Sequence, residues 1–326
     1  MANRRLTEQQ RRRIEGSAEQ RANAITNDGA TDDSGLGIVV ARFSKSALIM
    51  LNDGSQVDCH LRPNLPMIVA GDQISWQSEG SDRVVTARLE RHSELNRPNA
   101  RGQLKPVAAN VDLIAIVFAP FPEPFPNLID RYLVAAYHAS IEPLLVLNKA
   151  DLLTTNDDTS ELLKRYQSLG YRVLKTDPSE TSTTELMEAI GQTTTVFVGQ
   201  SGVGKSSIIQ RLIPDRQLRV GELSEGVQKG RHTTTTTEVF SRSNGGLVID
   251  SPGIREFGLD HVAVESVAPA FKEFRPFLGH CRFRDCSHQH ETDCAILEAI
   301  DSGHISADRY QSYLLIIGQA QDLWHG

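Results

Sequence analysis

The sequence predicts a multidomain α/β protein, with three folded parts behind a polar N-terminal arm. Three observations carry that prediction. Residues 35 to about 93 hold five short alternating runs separated by turn signals. From Val111 onward, strand-like runs alternate with helical periods around Gly199-Gln200-Ser201-Gly202-Val203-Gly204-Lys205-Ser206. Further on, three cysteines and one histidine gather between Cys281 and Cys294.

Length and composition bound the rest. With 326 residues, 39% of them hydrophobic, a core forms without disulfides. No apolar run approaches the roughly 18 residues of a membrane span. The longest, Val111 to Ala119, suits a buried strand. The N-terminus is rich in Arg and Gln and lacks the apolar stretch of a secretory signal. A cytoplasmic monomer without membrane contact is expected. A net charge of −7 argues against a globally basic nucleic-acid binder, so any RNA contact must come from local patches.

Residues 1–34 read as a disordered basic arm and linker. Segment 1–21 sets six arginines against three glutamates, and 27–34 is polar and rich in Gly and Asp. Such an arm either folds on RNA or stays solvated. Residues 35–95 read as a small barrel of OB type, with strands at Gly37–Phe43, Ala47–Leu51, Gln56–Leu61, Gln73–Gln77 and Val84–Leu89. Phe43 and Trp76 are its candidate stacking surfaces. Residues 94–109, with Pro98 and Pro106, read as a polar connector. The α/β part spans 96–262. Its strands fall at 111–118, 143–148, 171–175, 194–198, 237–241 and 246–250. Its helices fall near 127–140, 159–169, 183–191 and 205–213. Residues 263–326 read as a helical, metal-binding domain.

The G-x-x-x-x-G-K-S run follows a β-rich strand and opens a helix, which is the context a phosphate-binding P-loop requires. Its glycines let several N–H groups face one anion, and the helix N-terminus adds partial positive charge. Residues Gly199, Gln200, Ser201, Gly202, Val203, Gly204, Lys205, Ser206 and Ser207 are thus candidate nucleotide contacts. Lys205 is expected at the β- and γ-phosphates and Ser206 on Mg²⁺.

Asn148-Lys149-Ala150-Asp151 follows a buried strand and reads N-K-x-D. A carboxylate accepts from both the N1–H and the 2-amino group of guanine, a donor pair that adenine lacks. Asp151 therefore selects GTP over ATP. The Asn148 amide braces loop and base, and the Lys149 stem covers the ring. Asp250-Ser251-Pro252-Gly253 reads D-x-x-G, with Asp250 on Mg²⁺ through water and the Gly253 N–H sensing γ-phosphate. Between them lies Gly230-Arg231-His232-Thr233-Thr234-Thr235-Thr236-Thr237. Thr234 and Thr235 are the candidate switch threonines for Mg²⁺, while Thr236 and Thr237 enter a strand.

Ordinary GTPases place N-K-x-D last, whereas here it comes first, so the domain reads as a circularly permuted Ras-like GTPase. This order, the barrel and the Cys/His cluster resemble the YjeQ/RsgA family of small-ribosomal-subunit-dependent GTPases. The matching text is Phe197 to Ser207, Gly230 to Thr235 and Asp250-Ser251-Pro252-Gly253-Ile254-Arg255-Glu256-Phe257. The resemblance implies GTP hydrolysis to GDP and phosphate, stimulated by the small subunit and its rRNA late in maturation. It covers nearly the whole chain from about residue 35. D-S-P-G stands where D-T-P-G is commoner, and the second guanine loop, near Thr176-Asp177, departs from the usual Ser-Ala. Ras-like enzymes orient water with a Gln after D-x-x-G; this chain has Ile254, which cannot hydrogen-bond water. His232 is the nearest polar candidate, and the resemblance implies the same catalytic role.

Cys281, Cys286, His288 and Cys294 make a Cys₃His set suited to one tetrahedral, structural Zn²⁺ with no open position. Asp293 is a candidate cap for a helix starting near Cys294. The helices near 294–301 and 306–322 are expected to take their core from the metal. Residues 263–326 hold five Lys and Arg against nine Asp and Glu, a balance that gives no sign of rRNA binding by this part. Two other readings remain. One is a P-loop ATPase or nucleotide kinase with a zinc module, against which N-K-x-D and D-x-x-G stand together. The other is a non-catalytic, GTP-dependent RNA-binding placeholder, which Ile254 leaves open.

Overall fold

The computed structural model describes residues 34–98, 103–154, 158–214, 237–250, 259 and 262–322. The basic arm, save Ser34, lies outside them, as do His232, Thr234, Thr235 and Gly253. Five strands come first: β1 (Ser34–Arg42), β2 (Ser46–Met50), β3 (Gln56–Leu61), β4 (Gln73–Glu79) and β5 (Asp82–Arg88). They close into a barrel in the order β1-β2-β3-β5-β4, with β3 and β5 parallel and the other pairs antiparallel. Alternation puts Val39, Ile49, Cys59, Ile74, Trp76 and Val85 inside. Trp76 is therefore core, only 5% exposed, and offers no stacking face, contrary to expectation. Phe43 is half-buried against the second small cluster of the barrel.

The expected connector at 94–109 is instead a β-hairpin, β6 (Glu94–Pro98) with β7 (Leu104–Ala109). Its prolines hid it. Pro98 ends its strand, and Pro106 pairs with Asn96 where the register shifts. Strand ends and bulges are the places where a missing N–H is tolerated. Buried Leu95, Ala108 and Ala109 anchor the hairpin. Arg91 clamps it to the barrel, bonding Asp72 at 2.7 and 2.8 Å, the Met67 carbonyl at 2.8 Å, and Glu94.

The α/β part is one sheet in the order β10-β9-β8-β11-β13-β12. Its strands are β8 (Leu113–Phe118), β9 (Glu142–Leu147), β10 (Arg172–Lys175), β11 (Thr194–Val198), β12 (Glu238–Ser241) and β13 (Leu247–Asp250). All pairs are parallel except the edge pair β12–β13. Every residue of β8 is buried, as a central parallel strand requires. Helices α1 (Pro126–His138) and α2 (Asp158–Ser168) cover one face, with Ile129, Leu133, Leu162 and Tyr166 in its core. Helices α3 (Glu180–Ile190) and α4 (Lys205–Leu212) cover the other, with Leu186, Ile190, Ile208 and Leu212.

The C-terminal segment runs through short 3₁₀ turns to α5 (Ala295–Asp301) and α6 (Ala307–Asp322). Its helices do not depend on a metal for their core. Phe271, Phe274, Ile296, Tyr313, Ile316 and Ile317 belong to the same cluster as Ile129 and Leu133. Nor does Asp293 cap α5. Cys294 holds the cap position without a side-chain bond, and Asp293 sits in the left-handed region with its carboxylate 2.8 Å from Arg282.

Candidate nucleotide site and metal centre

Strand order places the site. β9 and β11 flank β8, so the chain reverses direction across the sheet there, and loops at the carboxyl ends diverge into a crevice. The loops after β8, β9, β10 and β11 and the end of β13 share that edge.

The loop after β11 is the P-loop. Gly199 has φ +133°, and a Cβ there would lie 2.0 Å from the Val117 carbonyl oxygen of β8. Gly204, at φ +95°, heads α4, and a Cβ there would lie 2.3 Å from Asn148 Nδ2. Both positions demand glycine on shape and on conformation. Val203 is buried, whereas Ser206 and Ser207 are exposed in the first turn of α4, where free N–H groups favour anions. Lys205 Nζ donates to the carbonyls of Gly199 at 2.7 Å and Gln200 at 2.6 Å, which holds the ammonium at the loop.

The loop after β9 is bolted to it. Asn148 is buried, donating from Nδ2 to the Val203 carbonyl at 2.9 Å and accepting at Oδ1 from Thr176 Oγ1 at 3.0 Å. Lys149, at φ +58°, donates from Nζ to the carbonyls of Gly202 at 2.8 Å and Phe121 at 2.9 Å. Its methylene stem therefore lies across the phosphate loop. Asp151 is exposed in the turn Ala150–Leu152, and the Ala150 N–H donates to the Thr176 carbonyl at 3.0 Å. The loops after β9 and β11 thus share two side-chain bonds, one from Asn148 and one from Lys149. Asp250 ends β13, beside the strand that leads into the P-loop.

Sequence reasoning missed two contributors here. The Phe121 carbonyl that anchors Lys149 sits in the run Pro120-Phe121-Pro122-Glu123-Pro124-Phe125-Pro126, where no local pattern announces the contact. Arg211 of α4 reaches the Asp177 carbonyl, a tie no local pattern announces.

The metal centre forms where expected. Ligand atoms of Cys281, Cys286, His288 and Cys294 all lie within 4.8 Å of one another. Cys281 and Cys294 sulfurs are 3.9 Å apart, and each is 3.5 Å from His288 Nδ1. A tetrahedron with Zn–S near 2.3 Å and Zn–N near 2.0 Å has edges of about 3.8 and about 3.5 Å, so these donors fit the ion. Burial pushes the Cys286 thiol up to about 12 and raises Cys294, so thiolate charge there needs a cation beside it. Burial also lowers the His288 imidazole, which favours the neutral, ligating form. Tyr310 and Tyr313 of α6 fix the ligand loop by donating to the carbonyls of His288 at 2.8 Å and Ser287 at 3.1 Å. His290 is exposed and outside the set.

A family model described as RsgA GTPase matches residues 88–260, more than half of the chain. The chain belongs to the RsgA GTPase family. A Chromohalobacter salexigens protein named small ribosomal subunit biogenesis GTPase RsgA is 48% identical over 335 aligned residues, covering 97% of this chain and 98% of that protein. The Pseudomonas aeruginosa PAO1 protein of the same name is 48% identical over 331 residues, with the same coverage. Among solved structures, YjeQ from Thermotoga maritima superposes with a TM-score of 0.72 at 29% identity, covering 88% of this chain and 99% of its own. YloQ, described as a circularly permuted GTPase, superposes at 0.70 and 26% identity, covering 89% and 96%. The expected permuted core, barrel and Cys₃His region are thus those of the family, and the chain is a GTP hydrolase. Among the described residues no helix is long and apolar enough to cross a membrane.

Proposed function

We propose that this chain binds the immature small ribosomal subunit in its GTP form, hydrolyses GTP there late in maturation, and leaves with GDP. The observation that carries this reading is the bond set joining Asn148 and Lys149 to Gly202 and Val203. One rigid wall then holds both the base and the phosphates, so affinity depends on guanine and triphosphate together. Gly199 to Ser207 cradle the phosphates, Lys205 swings onto the β- and γ-oxygens, and Asp151 takes the guanine donors. Ser206 and Asp250, with Thr234 or Thr235, hold Mg²⁺, which neutralises phosphate charge when bound. Gly253 senses the γ-phosphate, and His232 orients water. Work in the cytoplasm suits a protein whose cysteines are all unpaired among the described residues.

The barrel supports an rRNA contact. A groove of about 870 Å³ has Arg42, Lys45, His60, Arg62 and Lys105 around an otherwise uncharged lining that includes Leu65, Pro66 and Met67, with Arg62 also paired to Glu79. That is a local basic patch on a chain of net charge −7, the distribution that phosphate recognition needs. Single-turnover hydrolysis of GTP, with and without purified small subunits, tests the whole reading. Slow turnover alone and faster turnover with subunits is expected. Equal rates would sink it.

We assign Zn²⁺ to the Cys₃His site in a structural role. Purified protein is expected to carry about one zinc per chain. Chelation should raise hydrogen exchange in 280–294 more than in α6, because Tyr313, Ile316 and Ile317 of α6 also pack against Ile129 and Leu133 in the sheet-face core. Protein free of zinc, or exchange rising equally in α6, would contradict this assignment.

A further inference from the structure

We propose, on the zinc assignment above, that Glu291 is the positioning residue of the metal loop. Its carboxylate shapes the turn 287–290 through hydrogen bonds that involve no metal, and so sets how strongly His288 and its cysteine partners hold Zn²⁺. Glu291 lies outside the Cys₃His set.

Three carboxylates stand between Cys281 and Cys294: Asp285, Glu291 and Asp293. Asp285 and Asp293 are exposed, and Asp293 pairs with Arg282. Glu291 is half-buried and bonds the main chain instead. Its Oε1 accepts from the Ser287 N–H at 2.6 Å and the Ser287 hydroxyl at 2.5 Å. Its Oε2 accepts from the N–H groups of Gln289 at 2.9 Å and His290 at 3.1 Å. Three of the four N–H groups from Ser287 to His290 thus converge on one carboxylate, which serves as the built-in anion of a main-chain nest. The ligand His288 falls between them. Its φ is +59°, a left-handed conformation that residues with a Cβ seldom adopt. Bonds to Glu291 from the residues on either side hold it there. On the carbonyl side, Tyr313 donates to Ser287 at 3.1 Å, and Tyr310 to His288 at 2.8 Å and to Gln289 at 3.3 Å. The turn is therefore tied through its N–H groups to Glu291 and through its carbonyls to α6. A ligand placed in this way loses little freedom when the ion binds, which is how groups behind the ligands raise metal affinity.

Glu291→Gln keeps the shape of the side chain, but an amide accepts on one side only. Whichever way it turns, either the Ser287 N–H or those of Gln289 and His290 face an NH₂ group. Zinc affinity of the full chain, measured by competition with a chromophoric chelator, is expected to fall about 10- to 100-fold in Glu291→Gln and in Glu291→Ala. Ser287→Ala, which deletes only the hydroxyl arm, should weaken zinc by a smaller factor. His290→Ala keeps the main-chain N–H and should leave the affinity unchanged. Two readouts separate positioning from simple attraction between a carboxylate and a cation. The loss in Glu291→Gln should persist at about 1 M salt, where charge effects fade over about 3 Å. Co²⁺ put in place of zinc should show changed visible absorption in Glu291→Gln, because those bands report ligand geometry. An unchanged affinity in Glu291→Gln, a loss that salt abolishes, or an unaltered Co²⁺ spectrum would each overturn the role given to Glu291 and leave the zinc assignment intact. Unaltered protein that binds no zinc would remove that assignment, and the role of Glu291 with it.

Discussion

His232→Ala is expected to lose about 10²- to 10⁴-fold of the subunit-stimulated turnover, the range that a positioned acid–base group contributes. GTP affinity and subunit binding should persist. The argument starts from the residue after D-x-x-G. Ile254 offers no hydrogen bond to water, so the group that orients the nucleophile must come from elsewhere in the chain. His232 stands between the P-loop and D-x-x-G, among the threonines that would meet Mg²⁺ and the γ-phosphate. It touches neither base nor phosphate in this scheme, so its loss falls on the rate constant rather than on binding. Ser206→Ala makes the contrast, because it should weaken Mg²⁺–nucleotide binding itself. Single-turnover rates and equilibrium binding, measured with and without subunits, check both variants. Full stimulated turnover in His232→Ala would refute the assignment.

Arg309→Met is expected to cost about 3–5 kcal/mol of stability, the cost of stranding buried carboxylates. The Arg309 side chain is 4% exposed and bonds Asp130 of α1, itself 1% exposed, and Glu273 at 2.5 Å, 5% exposed. Tyr166 adds a bond to Asp130 at 2.6 Å, and the guanidinium lies 4.5 Å from the Phe271 ring centroid. Burial opposes the charge on Arg309, but the two carboxylates outweigh it and hold it protonated. Methionine fills most of the volume yet leaves Asp130 and Glu273 facing each other without a cation. Urea unfolding should show the loss. Arg309→Met combined with Asp130→Leu and Glu273→Leu should recover much of it, because an apolar triad has no charge to strand. A single-variant loss below about 1 kcal/mol would rule the cluster out as a structural clamp.

Much of the architecture was legible because it is periodic. The barrel strands alternate every second residue, and the α/β part alternates strand and helix around a P-loop whose glycines and lysine occupy fixed offsets. The metal set was legible because its four ligands lie within 14 consecutive residues, Cys281 to Cys294. What escaped is long-range. Arg309 and Asp130 are 179 residues apart, and nothing near either announces the other. Trp76 reads as a surface aromatic until barrel closure decides which face of its strand is inside. The 94–109 hairpin was masked by prolines whose tolerated positions only pairing reveals. Thr176 looked like a poor base contact. It is instead the residue that holds Asn148 in place, a role visible only once two loops are neighbours.

The shared core on the α1 face bears on how the protein is made. Translation delivers the sheet and the four flanking helices among the described residues before α5 and α6 exist. At that moment one face is finished by α3 and α4, while the other still bares the flank that Phe271, Phe274, Ile316 and Ile317 will later cover. A nascent chain of this kind presents chaperones with an apolar surface until the last helix emerges. A premature stop before α6 would therefore do more than remove a metal-binding tail. It would leave the GTP-binding sheet with an unsealed side, and quality control would meet a misfolded enzyme rather than a shortened one.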